Sequence, residues 1–145
     1  MPALQRTGAS SDPGLYAAAL VTAALVAGSI DITAARQLGE QAVQAARELG
    51  DDRLLIRSLA VLCSTHYFAG EPERGIPFGQ ESVQRARQLG DDVLLAESLM
   101  LYLLTSGLID PARAGQLLTE AIACTERSAT SSLTLSCTTT PALLP

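Results

Sequence analysis

The 145-residue chain has no tryptophan, no asparagine and no lysine, and aromatic residues make up only 3% of it. A sheet core built from aromatic and β-branched side chains is therefore disfavoured. All ten cations are arginines, scattered from Arg6 to Arg127 against 15 acids, for a net charge of −5. Nucleic-acid binders concentrate positive charge in a stripe, so direct contact with DNA or RNA is not expected. The cysteines are few and odd in number (Cys63, Cys124, Cys137), which argues against a disulfide framework and for a reducing, cytoplasmic setting. There is one histidine. No GxxxxGK[ST], HExxH or GxSxG pattern occurs, so no common catalytic motif marks the chain as an enzyme.

What is abundant is leucine and alanine, 24 and 23 residues, about a third of the chain. Both are strong helix formers, and a hydrophobic content of 48% excludes intrinsic disorder. The uncharged run Leu15–Gly28 is too short to span a bilayer, which takes roughly 18 to 20 residues. A secretory segment has that length, and Arg6 would be its positive flank. Asp12-Pro13 directly before the run reads instead as an N-cap and first-turn proline, so a buried helix is the preferred reading.

The chain repeats itself. Residues 31–65 align with residues 71–105 at an offset of 40 with 14 identities in 35, including Leu49-Gly50-Asp51-Asp52 against Leu89-Gly90-Asp91-Asp92. A third, weaker copy is marked by Glu71-Pro72 against Asp110-Pro111, at an offset of 39. Each unit reads as a helical hairpin, closed by glycine and reopened by an acidic cap. The spacing predicts helices over 13–27, 32–49, 53–69, 72–89, 93–106 and 111–128. In the second helix of each hairpin the inner stripe is Ala35, Leu38, Ala42, Ala46, Leu49, and then Gly75, Phe78, Ser82, Ala86, Leu89. The fold expected is all-α, a right-handed α-solenoid of three hairpins with about 40 residues per repeat. Residues 1–11 are expected to be disordered. Residues 129–145 are expected to form an irregular tail, because Ser128–Pro145 has no charge and nine Ser or Thr. Without a capping helix at that end, the chain is expected to be a truncated or frame-shifted piece of a longer repeat protein.

The phrases AARELGDDRLLIRSLAVL and RARQLGDDVLLAESLMLYL resemble the tetratricopeptide repeat family in its longer form. They are most similar to the repeat regions of large bacterial LuxR/MalT-like or AfsR-like regulators. The resemblance covers about Asp12 to Arg127 and departs from the family in lacking the early tryptophan and in exceeding the 34-residue spacing. It implies a non-catalytic scaffold that binds a protein or peptide, or other domains of a longer transcriptional regulator. Neither ATP hydrolysis nor DNA contact carries over, since the parts that would perform them are absent from this sequence. The other reading is self-association through an uncapped C-terminal hairpin.

Three constellations invite chemistry. Cys63 and His66 stand one helical turn apart, but a metal takes three or four ligands and no second histidine exists, so no metal, cofactor or catalytic role is assigned. The Asp51-Asp52 and Asp91-Asp92 pairs recur after a glycine and before a helix, where capping and the helix dipole favour acids. In the groove that the resemblance implies for the first helices of the hairpins, the polar positions are Arg53, Arg57, Ser64 and Glu97. Arg57 and Glu97 lie one repeat apart, placed either to pair with each other or to contact a peptide.

Overall fold

A computed structural model describes residues 12–139, with side chains described through Ser131. Six helices follow one another: α1 (Pro13–Ala27), α2 (Ile32–Leu49), α3 (Asp52–Phe68), α4 (Pro72–Leu89), α5 (Asp92–Ser106) and α6 (Pro111–Thr139). Among the described residues the chain is all-helical, with no strand. The expected disorder of residues 1–11 lies outside the described residues.

Local chemistry sets the boundaries. Asp12, Asp31, Asp51 and Asp91 each accept hydrogen bonds from first-turn N–H groups, which would otherwise have no partner. Asp91, for example, accepts from Val93 at 3.0 Å and from Leu94 at 3.1 Å. Gly50, Gly70 and Gly90 turn the chain with φ of 67°, 77° and 73°, a region where a Cβ is strained. Glu71 departs from this pattern, because its side chain makes no capping bond. Its carboxylate lies instead 3.3 Å from Arg36 and 3.6 Å from Arg74.

Helix α6 corrects the expected end of the domain. It continues to Thr139, so the first 11 residues of the stretch expected to be an irregular tail, 129–139, are helical; residues 140–145 lie outside the described residues. Serine and threonine suit a loop as well as a helix, and no glycine or proline interrupts residues 116–139. Three threonine hydroxyls bond back to carbonyls four residues earlier, Thr119 to Gly115 at 3.0 Å, Thr125 to Ala121 at 2.9 Å and Thr130 to Glu126 at 2.9 Å.

Successive helices pack pairwise along the chain, and α3 also touches α1 and α5. Among the described residues, α2, α4 and α6 make no close backbone approach to one another. They are tied by arginine–carboxylate pairs between neighbouring repeats, Arg47 to Glu81 at 3.0 Å and Arg87 to Glu120 at 2.8 Å. The apolar core follows the same order. Val43 and Ala46 of α2 pack on Leu55, Leu59 and Leu62 of α3. Val83 and Ala86 of α4 pack on Leu94, Leu95, Leu99 and Tyr102 of α5. The expected inner stripe is buried at Ala35, Ala42 and Ala46 and at Gly75, Ser82 and Ala86; it is wider than expected, taking in Gly39 and Val43, Gly79 and Val83, and it stops short of Leu49 and Leu89, each the exposed last residue of its helix.

Helix α4 is seated most tightly. A Cβ on Gly79 would lie 2.6 Å from Tyr102 Cδ2 and 2.7 Å from Cys63 Sγ, and one on Gly75 would lie 2.6 Å from the Cys63 carbonyl oxygen. Small hydroxyls complete the seam, with Ser82 donating toward the Ile56 carbonyl at 2.9 Å and lying 2.8 Å from Ser98 Oγ. Gly79→Ala should therefore destabilise the chain by about 1–3 kcal/mol through overpacking. Gly115→Ala, with nothing within 4 Å of the added methyl, should stabilise it by about 0.5–1 kcal/mol. Urea unfolding of the two variants checks both signs.

Candidate functional site

An open groove of about 620 Å³ runs across the first helices of all three hairpins. Val21, Thr22 and Leu25 of α1 form one wall, and Arg57, Ala60 and Val61 of α3 form the floor. Ala96, Glu97, Ser98, Met100 and Leu101 of α5 form the other wall. The lining is mostly apolar, with Leu25 and Met100 more than half exposed at 55% and 53%. The Arg57 Nε to Glu97 Oε2 distance is 3.6 Å across the groove, and both side chains remain about half exposed. The two residues are thus an ion pair and also line the groove.

The other two expected groove residues are placed differently. Ser64 is buried, its hydroxyl bonded to the Val61 carbonyl at 2.8 Å, and it borders a smaller adjoining hollow of about 310 Å³ with Ala24, Leu25 and Phe68. Arg53 lies outside both hollows and pairs with Asp91 at the start of α5. The Leu94 N–H bond holds the Asp91 carboxyl below its usual range, and the Arg53 guanidinium adds to that effect. So two of the four residues meet in the groove and two do not. The apolar walls from α1 and α5 were not anticipated. A signal for α1 was present, because its 15 residues carry no charge at all and leave it apolar on every side.

The acidic doublets act structurally. Asp51 and Asp91 cap their helices, while Asp52 and Asp92 reach arginines, Arg85 at 3.8 Å and Arg127 at 2.8 Å. Glu81 is drawn in two directions: burial alone would raise its carboxyl, but hydrogen bonds from Arg47 and Arg85 outweigh it and hold it below the usual range.

Cys63 and His66 face different neighbours. The Cys63 thiol lies 3.2 Å from Thr105 Oγ1, and burial pushes its pKa up, away from the reactive thiolate. His66 is buried and stacks on Phe78, ring centroids 5.6 Å apart and 3° from parallel. Its Nδ1 lies 4.0 Å from Glu71 Oε2, beyond hydrogen-bond reach, and neither atom has a hydrogen-bond partner. Among the described residues, no three His, Cys, Asp or Glu side chains converge as a metal site. No described helix is long and apolar enough to cross a membrane; α1 buries Ala17, Leu20, Val21 and Ala24.

No family model matches the chain, and neither does any curated protein or solved structure.

Two measurements probe these contacts. In double-mutant cycles, the bidentate Arg87–Glu120 pair should couple more strongly than the longer Arg57–Glu97 pair, both within about 0–1 kcal/mol for partly exposed charges. His66 gives a pH dependence. Burial, reinforced by Arg36 and opposed by Glu71 and Glu40, lowers its pKa from 6.5, so the native state holds it neutral. Below that value the unfolded chain takes up a proton that the folded chain refuses. The stability is complete above pH 6.5 and falls as the pH drops through it, by no more than about 1.4 kcal/mol per unit. His66→Gln should remove this part of the slope between pH 7.5 and 5.5, read from urea midpoints of both proteins.

Proposed function

We propose that the chain is a non-catalytic protein-interaction module, a right-handed, tetratricopeptide-like α-solenoid of three hairpins whose groove receives a peptide or helix from a partner. The observation that carries this reading is the groove itself. It is an apolar trough crossing α1, α3 and α5, with one half-exposed ion pair between its α3 and α5 sides. Apolar anchors on a partner helix or extended segment would bury Leu25 and Met100, and its charges would compete for Arg57 or Glu97. The repetition of the hairpins, the contacts of α3 with both α1 and α5, and the evenly spaced ion pairs among the second helices support the solenoid. The resemblance to regulator repeats supports the context, a cytoplasmic scaffold that holds a partner or another domain of a bacterial transcriptional regulator.

The test is selection of peptides from a phage-displayed library on the full chain, followed by titration of the selected peptides against variants. Leu25→Glu and Arg57→Glu alter exposed groove residues and should leave folding intact. Each should weaken binding by about tenfold or more, a loss of roughly 1.4 kcal/mol. Peptides that bind both variants as tightly as the original chain would place recognition elsewhere and remove the groove reading.

A further inference from the structure

The groove does not end at its walls. Leu25 and Val61 also line the hollow of about 310 Å³ that runs to Phe68. On the other side Met100 also lines a hollow of about 270 Å³ against α6, beside Ile122 and Glu126. The three hollows adjoin through these shared residues and form one track, from the ends of α1 and α3 across α5 onto α6. Four large apolar side chains stand half or more exposed along it: Phe68 at 64%, Leu25 at 55%, Met100 at 53% and Ile122 at 51%.

The hydroxyls of this track are already bonded. Thr22, Ser29, Ser64, Thr65 and Thr125 each donate to a carbonyl three or four residues earlier. Ser98 is buried and lies 2.8 Å from Ser82 Oγ. Arg57 and Glu97 face each other. The chain has no asparagine, and no described lining residue is a glutamine, so no side-chain amide offers a donor and an acceptor together. The walls are helices, lined beyond their first turns, and their main-chain N–H groups are bonded within. An extended segment laid here would turn carbonyl groups toward a surface whose one unbonded kind of donor is the Arg57 guanidinium. A segment that keeps its main-chain bonds internal avoids that cost of desolvation.

Both ends of the track favour positive charge. Glu120 and Arg127 of α6 are paired, whereas the exposed Glu126 has no ion pair among the described residues. At the other end lie the last turns of α1 and α3, where the main-chain carbonyls carry the negative end of the helix dipole. Helix α1 has no basic residue in its last turn, and α3 has His66, whose charged form burial disfavours.

We propose that the groove is occupied by an amphipathic α-helix of a partner protein, apolar on the side it buries and carrying lysine or arginine at its ends. This rests on the groove reading and narrows it from any segment to a basic amphipathic helix. Three first helices packed side by side at about 8–10 Å are crossed within roughly 20 Å, about 13 residues of helix. Anchors at i, i+3 or i+4, and i+7 cover Leu25 and Met100, and a terminal cation meets Glu126.

Random peptides of about 16 residues, displayed on phage and selected on the full chain, supply the probes. Synthetic copies are titrated against the original chain, Leu25→Glu and Glu126→Arg; both residues are exposed, and matching circular dichroism melts verify folding. Peptides weakened about tenfold or more by Leu25→Glu occupy the groove. These should carry apolar residues at helical spacing, show helical backbone chemical shifts when bound, and weaken about tenfold when proline replaces a central residue. Those with terminal cations should weaken on the order of threefold on Glu126→Arg, and by less in high salt. Two results overturn the helix and leave the groove reading standing: groove-bound peptides that tolerate the central proline with extended shifts, or ones with acidic ends that bind Glu126→Arg more tightly. Peptides indifferent to Leu25→Glu, or a selection that yields none, remove the groove reading and the helix with it.

Discussion

The arrangement depends on how closely α4 approaches two helices at once. Gly79 lies against Tyr102 on one side and Cys63 on the other, and Gly75 lies against the Cys63 carbonyl. A helix can come that near two neighbours only where its facing positions carry almost no side chain. The separation of α3 and α5 is set by the same contact, and these two helices supply the floor and one wall of the groove. Two glycines that never reach the surface thus bear on how far the α5 wall stands from the α3 floor.

Polar groups inside this seam are small and satisfied locally. Ser82 reaches the Ile56 carbonyl and Ser98, and Thr105 bonds the Leu101 carbonyl while meeting the Cys63 thiol. Each offers a hydroxyl without the bulk that would force the helices apart. His66 is the exception. It gains stacking on Phe78 but has no hydrogen bond at Nδ1, and burial disfavours its charged form. The longer charges are kept at the periphery, where arginine forks match carboxylates in repeating register.

The helices were legible because their punctuation is chemical and local. An aspartate that caps and a glycine that accepts a positive φ mark an element in any context, and the repeat supplied each boundary twice. The extension of α6 was not legible, since serine and threonine satisfy their hydroxyls in a loop or on a helix, and only packing and the missing breaker decide between them. The ion pair Arg57–Glu97 followed from counting one repeat forward. Arg53 and Ser64 did not follow, because a polar residue on the correct helix still has to be turned toward the groove. Arg53 is drawn to Asp91, and Ser64 is turned inward to the Val61 carbonyl. The apolar walls stayed hidden for a related reason: α1 is apolar all round, and no periodicity says which of its sides is left open.

The two rows of helices are held together by different forces. The first helices, α1, α3 and α5, meet through direct packing, whereas α2, α4 and α6 are joined by half-exposed arginine–glutamate forks. Mobile ions screen the second kind of tie and leave the first almost untouched. Ionic strength therefore bears most on the second-helix side, where the forks have no packed contact beside them, and less on the first-helix side, where the Arg53–Asp91 and Arg57–Glu97 pairs accompany direct packing of α3 on α5.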